Sequence, residues 1–471
     1  MKHSTLPTKK VLAPACFAIG IAGLATGAIQ AAATSGTWTN PSATTDAWTT
    51  GSNWTITSGS GSYPGGADGV ATFTNPGAAY TVDIGSSPIS IGSVVANFNA
   101  NHGLTITGGT LNFATSTGTP SLTWASTFSG PVVSFNGLTI TGNQGLIITG
   151  SSNFATSFRT YGNTNWSGFS GTVAVAQGNW DPQQANAAPT NSDLILGGTD
   201  TNTANDNGRA RFGMFGGRNQ TIGALIGGSG GYLSNNNATS ASTITIGNNG
   251  DSGTFAGNIG KQTAGQATGT GADINVVKTG TGTETFSGTD VYTGTTSINA
   301  GTLAVTGSLT GGGAVTVNTG GTLAGNGSIS GAVTLSGGAI NLVDGAIGTL
   351  SIANNVTLAS GDLAFEIGSG NASDLINVTS GTISASGPIT VNIAGLAGFG
   401  TGTYNLITGT SSGLSNLTLG TTPGGAFNYA LQSSAAGEQL VVSSVPEPAP
   451  LALLAASAMC LLLMRRKSRT H

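Results

Sequence analysis

Gly301-Thr302-Leu303-Ala304 returns twenty residues later as Gly321-Thr322-Leu323-Ala324, and shorter Gly-Thr-Leu steps start at Gly109 and Gly348. A coil of this length lies in the range of solenoid repeats, in which a unit buries its apolar face only against its neighbours. Around these steps run short alternating segments, among them Leu104-Thr-Ile-Thr, Leu138-Thr-Ile-Thr, Ile244-Thr-Ile, Val315-Thr-Val, Val333-Thr-Leu and Ile389-Thr-Val-Asn-Ile. A period of two puts aliphatic side chains on one face of a strand and Thr or Asn on the other, and most segments are bounded by the turn formers Gly and Asn. No stretch between Ala33 and Ser444 sustains a 3.6-residue apolar period. The expected fold class is all-β, a parallel β-helix (solenoid) with an N-terminal β cap. Tandem β-sandwiches are the alternative, with larger loops and more core aromatics.

The composition narrows the chemistry. Charged residues are 6% of the chain, against ~25% in ordinary globular proteins, and Gly supplies 78 of 471 residues. Recurrent Val, Ile and Leu argue against general disorder, although Asn, Thr and Asp are dense from Asn186 to Gly208 and disorder is an alternative there. Cys16, Cys460, His3 and His471 all lie near the termini, leaving His102 as the one histidine of residues 34–444 and no thiol at all. Disulfides, thiolate metal sites, cysteine nucleophiles and any Ser-His-Asp triad not built on His102 are thereby excluded from this region. His102, between Asn101 and Gly103, reads as a turn residue, so neither cofactor nor metal is expected. Arg159, Arg209, Arg211, Arg218, Lys261 and Lys278 face sixteen acidic residues, a net charge of −10 that disfavours nucleic acid and anionic membrane surfaces.

Both termini read as targeting segments. Lys2, Lys9 and Lys10 precede an apolar stretch from Val11 to Ile29 that ends in Ala31-Ala32-Ala33, the order of a secretory signal peptide over residues 1–33, with an uncleaved anchor as the alternative. Cys16 does not make a lipoprotein site, because only Val11 to Ala15, interrupted by Pro14, lies before it. At the other end, Pro446-Glu447-Pro448 precedes an apolar run of 14 residues, Leu451 to Met464, and a basic tail of Arg465, Arg466, Lys467 and Arg469. As a helix that run spans about 21 Å, short of a ~30 Å hydrocarbon core, and the basic tail places the tip on the cytoplasmic side. Residues 445–471 resemble the PEP-CTERM sorting signal. The resemblance implies transient insertion in the inner membrane, processing by an exosortase-type membrane peptidase, and delivery to the cell surface or extracellular matrix in an exopolysaccharide setting.

A second resemblance covers 276–305. Lys278-Thr-Gly280-Thr-Gly282-Thr-Glu-Thr-Phe-Ser-Gly288 leads to Tyr292-Thr293-Gly294-Thr-Thr and Asn299-Ala-Gly301-Thr-Leu303. This pattern resembles the autotransporter-associated β-strand repeat, with two departures: Glu284 stands where an apolar residue is usual, which would weaken local packing, and Thr295 where Gly is usual. Gln220-Thr-Ile-Gly-Ala-Leu-Ile-Gly and Gly321-Thr-Leu-Ala-Gly-Asn-Gly-Ser-Ile-Ser-Gly extend the similar setting to about 209–378. The resemblance implies a right-handed parallel β-helix, exported by a route other than an autotransporter's own barrel. The organisation expected is a Trp-containing N-terminal β segment or cap (34–120), a less regular solenoid (121–275), the repeat (276–305) and a solenoid continuation (306–444).

Candidate chemistry is sparse. Trp38, Trp48 and Trp54 read as end-capping aromatics, with a carbohydrate-stacking platform as the sharper alternative. Asp362, Glu366 and Asp374 are the nearest acidic grouping, and Asp362 and Glu366 share one side of a strand; the blander reading is solvated coil positions. Arg209, Arg211 and Arg218 are read as coil-edge residues pairing with Asp200 and Asp206, the alternative being a fork for acidic polysaccharide. Gly311-Gly-Gly313 lacks the following Gly-Lys-Ser/Thr of a phosphate loop, and Asn-x-Ser/Thr triplets at Asn53, Asn165, Asn237 and Asn355 fit chance in so polar a chain. The expectation is a non-enzymatic, secreted structural or adhesive protein associated with exopolysaccharide. A β-helical polysaccharide lyase or hydrolase is the competitor, and a phage-like or toxin passenger a third reading.

Overall fold

The computed structural model describes residues 32–40, 45–74, 79–98, 103–126, 130–151, 156–197, 209–214, 217–235, 240–260, 273–425, 427–445 and 459. Most of the signal-peptide segment, His102, Asp200, Asp206, Lys261, Pro446, Glu447, Pro448 and the basic tail Arg465, Arg466, Lys467 and Arg469 lie outside these residues. Among the described residues no helix is long and apolar enough to cross a membrane.

Strand after strand pairs in parallel with the strand one coil away, which is solenoid pairing and rules out sandwiches. Gly301 lies opposite Gly321, Thr302 opposite Thr322 and Leu303 opposite Leu323, so the sequence repeat is one turn of the coil. The alternation works as the sequence implies: in Val315–Asn318 the valines are buried and Thr316 is half-buried. Val315, Val333, Val356 and Ile383 form one inward column through four coils. Coils are longer elsewhere. Leu104 pairs with Val133 and Gly361 with Ile389, so the 20-residue period belongs to the repeat region and not to the whole chain.

Before the repeat, coils have three faces. A separate four-stranded ladder of Ile89–Ile91, Thr110–Phe113, Thr139–Gly142 and Asn165–Phe169 forms the third. Their interior is aromatic to a degree the sequence reading reserved for sandwiches: Phe113, Phe135, Phe158, Trp180 and Phe212 touch in succession, with ring centroids 4.8–6.4 Å apart. The segment from Asn186 is ordered at least to Gly197: Asn186 N donates to Asn219 O, and Leu194–Leu196 is a strand.

Both ends are closed by antiparallel pairing. Ser35–Trp38 runs antiparallel to Trp54–Ser58 and parallel to Val70–Thr74, where stacked coils begin, well before residue 120. Trp38 and Trp54 meet edge to face at 4.9 Å, Trp48 lies 5.2 Å from Trp54, and all three are buried. Their indole N–H groups donate to Asn40 O, Pro64 O and Trp48 O. With their faces covered by each other and by Phe73, they are a cap and not a stacking platform. At the far end Gly402–Ser412 and Phe427–Ser434 flank Gly437–Ser444, both antiparallel, and half-buried Phe427, Tyr429 and Leu431 pack onto the core.

Leu323→Ala removes a fully buried side chain from the solenoid core, where it stacks between Leu303 and Ile340, and is expected to cost about 2–5 kcal/mol, whereas Thr322→Ala on the outer face stays within about 0.5 kcal/mol. Urea denaturation of the two variants checks the facing of the strand.

Candidate functional site

In-register stacking turns the outward positions of successive coils into continuous rows. Ser297, Thr316, Thr334, Thr357, Ser384 and Ser412 pair in sequence, a hydroxyl row through six coils. A second row is Thr289, Ser308, Ser328, Ser351, Asn377 and Thr408. Each spans about 24 Å at the ~4.8 Å separation of paired strands. All twelve residues are half-buried or exposed. Neighbours in a row bond to one another: Thr408 Oγ1 donates to Asn377 Oδ1 at 2.9 Å, and beside the first row Asn318 Nδ2 donates to Asn299 Oδ1 at 2.8 Å. The sequence reading found the Thr-rich outer face but not these rows. Coil lengths vary around the repeat, so register is visible only once the chain is wound.

The repeat residues hold the coil together. Lys278 is buried and its ammonium donates to Thr279 O, Gly280 O and Ala300 O at 2.6, 3.2 and 3.4 Å. Gly280 and Gly301 turn the chain around that ammonium at φ +64° and +62°, and a Cβ on Gly301 would stand 2.4 Å from Gly280 O. Gly282, Gly288 and Gly294 likewise press against carbonyls of the coil below, those of Asp251, Gly257 and Ile274. Tyr292 is buried with its hydroxyl 2.7 Å from Thr296 Oγ1, and burial pushes that phenol up. Thr293 donates to Asp273, and Leu303 is fully buried in the core. Thr295, the departure from the usual Gly, bonds Asn275 Oδ1 through both its N–H and its hydroxyl.

Glu284 points inward. Its Oε2 accepts from Leu225 N at 3.2 Å, reaching past Gly253, where a Cβ would lie 2.8 Å from that oxygen; Oε1 has no partner. Desolvation raises its pKa to about 8, opposed by the Leu225 bond and by Lys278. Asp290 has the same character: Oδ1 accepts from Ile259 N at 2.8 Å, Oδ2 is unpartnered, and burial raises the group to about 7.

The acidic grouping is not solvated as expected. Asp362 is exposed, but Glu366 and Asp374 are buried and committed to backbone amides. Glu366 Oε2 accepts from Asp344 N and Gly345 N at 3.2 and 2.9 Å, while Asp374 accepts from Gly348 N at 2.8 Å and Glu366 N at 2.7 Å. The pair pins the loop at 343–348 over the strand, and burial raises Asp374 to about 6. The expected pairing of the arginines with Asp200 and Asp206 falls outside the described residues, but Arg209 and Arg211 do not stand at a coil edge. Arg209 and Arg211 are buried; Arg211 lies 3.7 Å from Asp181 and bonds Asn179 at 2.9 Å, and Arg209 stacks over Tyr232 at 4.9 Å. The chain's one short solenoid segment rich in basic residues therefore faces neighbouring coils, because burial of Asp181 demands a counter-charge there.

A family model described as the passenger-associated transport repeat matches residues 276–305, the unit just described. The chain carries an autotransporter-type passenger repeat, of the kind found in exported, extracellular β-helical proteins. No curated protein matches the chain.

Glu284 and Asp290 hold their protons to higher pH folded than unfolded, so their contribution to stability is complete in acid, falls as pH rises, and is gone above about 7 for Asp290 and about 8 for Glu284. The thermal midpoint is expected to be higher at pH 5 than at pH 9, and Glu284→Gln to shrink that difference. Scanning calorimetry across this range measures both.

Proposed function

We propose that this is an exported, non-catalytic structural or adhesive protein of the cell surface or extracellular matrix, which holds polysaccharide through its hydroxyl rows. The two six-coil rows carry the reading. A rigid array of hydroxyls and amides at ~4.8 Å spacing offers many weak, neutral hydrogen bonds to a polyhydroxylated chain, each worth little and together additive. The passenger-type repeat supports the exported setting. Against a lyase or hydrolase built on Asp362, Glu366 and Asp374 stands the engagement of the last two with loop amides.

The charge-poor, net negative chain fits a neutral polymer better than an acidic one, because its few basic groups offer an anionic chain little attraction. In the proposal, Pro446-Glu447-Pro448, the apolar run and the basic tail act once, as a sorting segment read by an exosortase-type peptidase in the inner membrane.

Replacing Thr316, Thr334 and Thr357 together by Asp is expected to lower retention on insoluble neutral polysaccharide by about tenfold or more while the far-ultraviolet circular dichroism stays that of sheet. Undiminished retention would remove the rows from the mechanism. Mass spectrometry of the surface-located protein is expected to show a C-terminus near Pro446-Glu447-Pro448; recovery of an intact Arg469 would make the tail a retained anchor.

A further inference from the structure

The wall that carries Gly402–Ser412 ends on an unfinished strand. Ile376 pairs with Ile407, Ile407 with Glu438 and Glu438 with Ser433, and there the ladder stops. Phe427–Ser434 lies beside Gly437–Ser444 through eight residues in unbroken register and, among the described residues, pairs with no other strand. In an antiparallel pair alternate residues turn both backbone groups to the partner, so half of this strand's N–H and C=O groups point away from it. Between Phe427 and Ser433 no hydrogen bond reaches these outward groups from another described residue. Proteins blunt such edges with charge, proline, a bulge or shortness. The strand at the opposite end, Trp54–Ser58, has five residues and a shift of register in its ladder, as does Asn165–Phe169. Phe427-Asn-Tyr-Ala-Leu-Gln-Ser-Ser434 has eight residues, no charge, no proline and no shift.

The side chains along this edge are unfinished too. Inside the repeat, inward aliphatics such as Leu303 and Leu323 are fully buried between neighbouring coils. At this end Phe399, Leu419, Phe427, Tyr429 and Leu431 pack on the core but stay half-exposed, whereas the far end has only Ile56 and Tyr63 of this kind among the described residues. Phe427 lies 5.6 Å from Phe399 and 6.4 Å from Tyr429, which makes the strip continuous. On the other face of the strand Asn428, Ala430 and Gln432 are exposed. The edge therefore fits one more strand with apolar side chains on one face and small or uncharged polar ones on the other, and Phe427–Ser434 itself has that pattern.

We infer that Phe427–Ser434 is a homodimerisation edge, to which a second copy of this chain adds its own Phe427–Ser434 in antiparallel pairing, joining two solenoids end to end. Pairing about Ala430 sets that residue opposite its own twin, Tyr429 opposite the partner's Leu431, Asn428 opposite the partner's Gln432 and Phe427 opposite the partner's Ser433. This register keeps the apolar side chains on one face and brings no charges together. The twofold relation uses up both edges, so association closes at two chains. A head-to-tail arrangement would instead set eight residues against the five of Trp54–Ser58. The inference stands apart from the hydroxyl rows, which joined solenoids would carry in duplicate.

The test is sedimentation velocity of the secreted protein over a concentration series. One strand pair is small beside the ~800 Å² per partner of a standard interface, so a monomer–dimer equilibrium is expected at about 1–100 μM. Ala430→Lys and Ala430→Glu each place like charges on the twofold axis and are expected to raise the dissociation constant about three- to tenfold, while an equimolar mixture of the two associates as the parent does. Ala430 is exposed, and an unchanged far-ultraviolet circular dichroism spectrum checks that both variants fold. Ala430→Cys, in a region with no cysteine of its own, is expected to give a disulfide-linked dimer under mild oxidation. A protein that stays monomeric throughout the series, as it would if residues after Val445 cover the edge, overturns the inference. So do open-ended oligomers, dimers indifferent to Ala430→Lys, and a mixture that fails to associate.

Discussion

Everything in this structure depends on parallel backbone pairing from one coil to the next. A strand's N–H and C=O groups cannot be left unpaired in a buried setting, so each coil must present its strands at the height and register its neighbours dictate. The requirement sets where glycine must stand. At Gly301, and again at Gly288, the chain crosses a carbonyl of the coil below with no room for a methyl group. It also creates the need for ends. The antiparallel strands Ser35–Trp38 with Trp54–Ser58, and Phe427–Ser434 with Gly437–Ser444, close the apolar column that stacking alone would leave open.

The polar groups inside the repeat follow from the same pairing. Tight glycine turns bring several carbonyls together, and the Lys278 ammonium answers three of them at once. Desolvation opposes that charge and lowers the pKa of Lys278, and nearby Glu284 acts in the other direction. Each of the two buried carboxyls gives one oxygen to a backbone N–H and leaves the other unpartnered; a proton there is less costly than an unpaired negative charge in apolar surroundings.

The sequence made the class of fold legible because period-two alternation and the Gly301/Gly321 repeat are local signals. It showed the purpose of Trp38, Trp48 and Trp54 for the same reason, since three large rings near a solenoid end have little else to do. It concealed contacts set by register. Asp181 and Arg211 are neighbours because of winding, at a separation of 30 residues that the 20-residue period does not anticipate. Asp181 lies on the strand that pairs directly with that of Arg211. Glu366 and Asp374 were missed in another way: strand parity put Glu366 on the outer side, and only the loop at 343–348 folding over that side buries it.

The third face of the early coils stops at Asn165–Phe169 because of coil length. Leu146 pairs with Val173 and Val173 with Leu194, so the second of these turns has 21 residues where the first has 27. Six fewer residues cannot supply three strands around an interior already filled by Phe158, Trp180 and Phe212. The wide aromatic section fixes the perimeter, the short turn cannot complete it, and the shortfall appears at the face with no strand to spare. Asn165–Phe169 is thereby left with an unpaired edge.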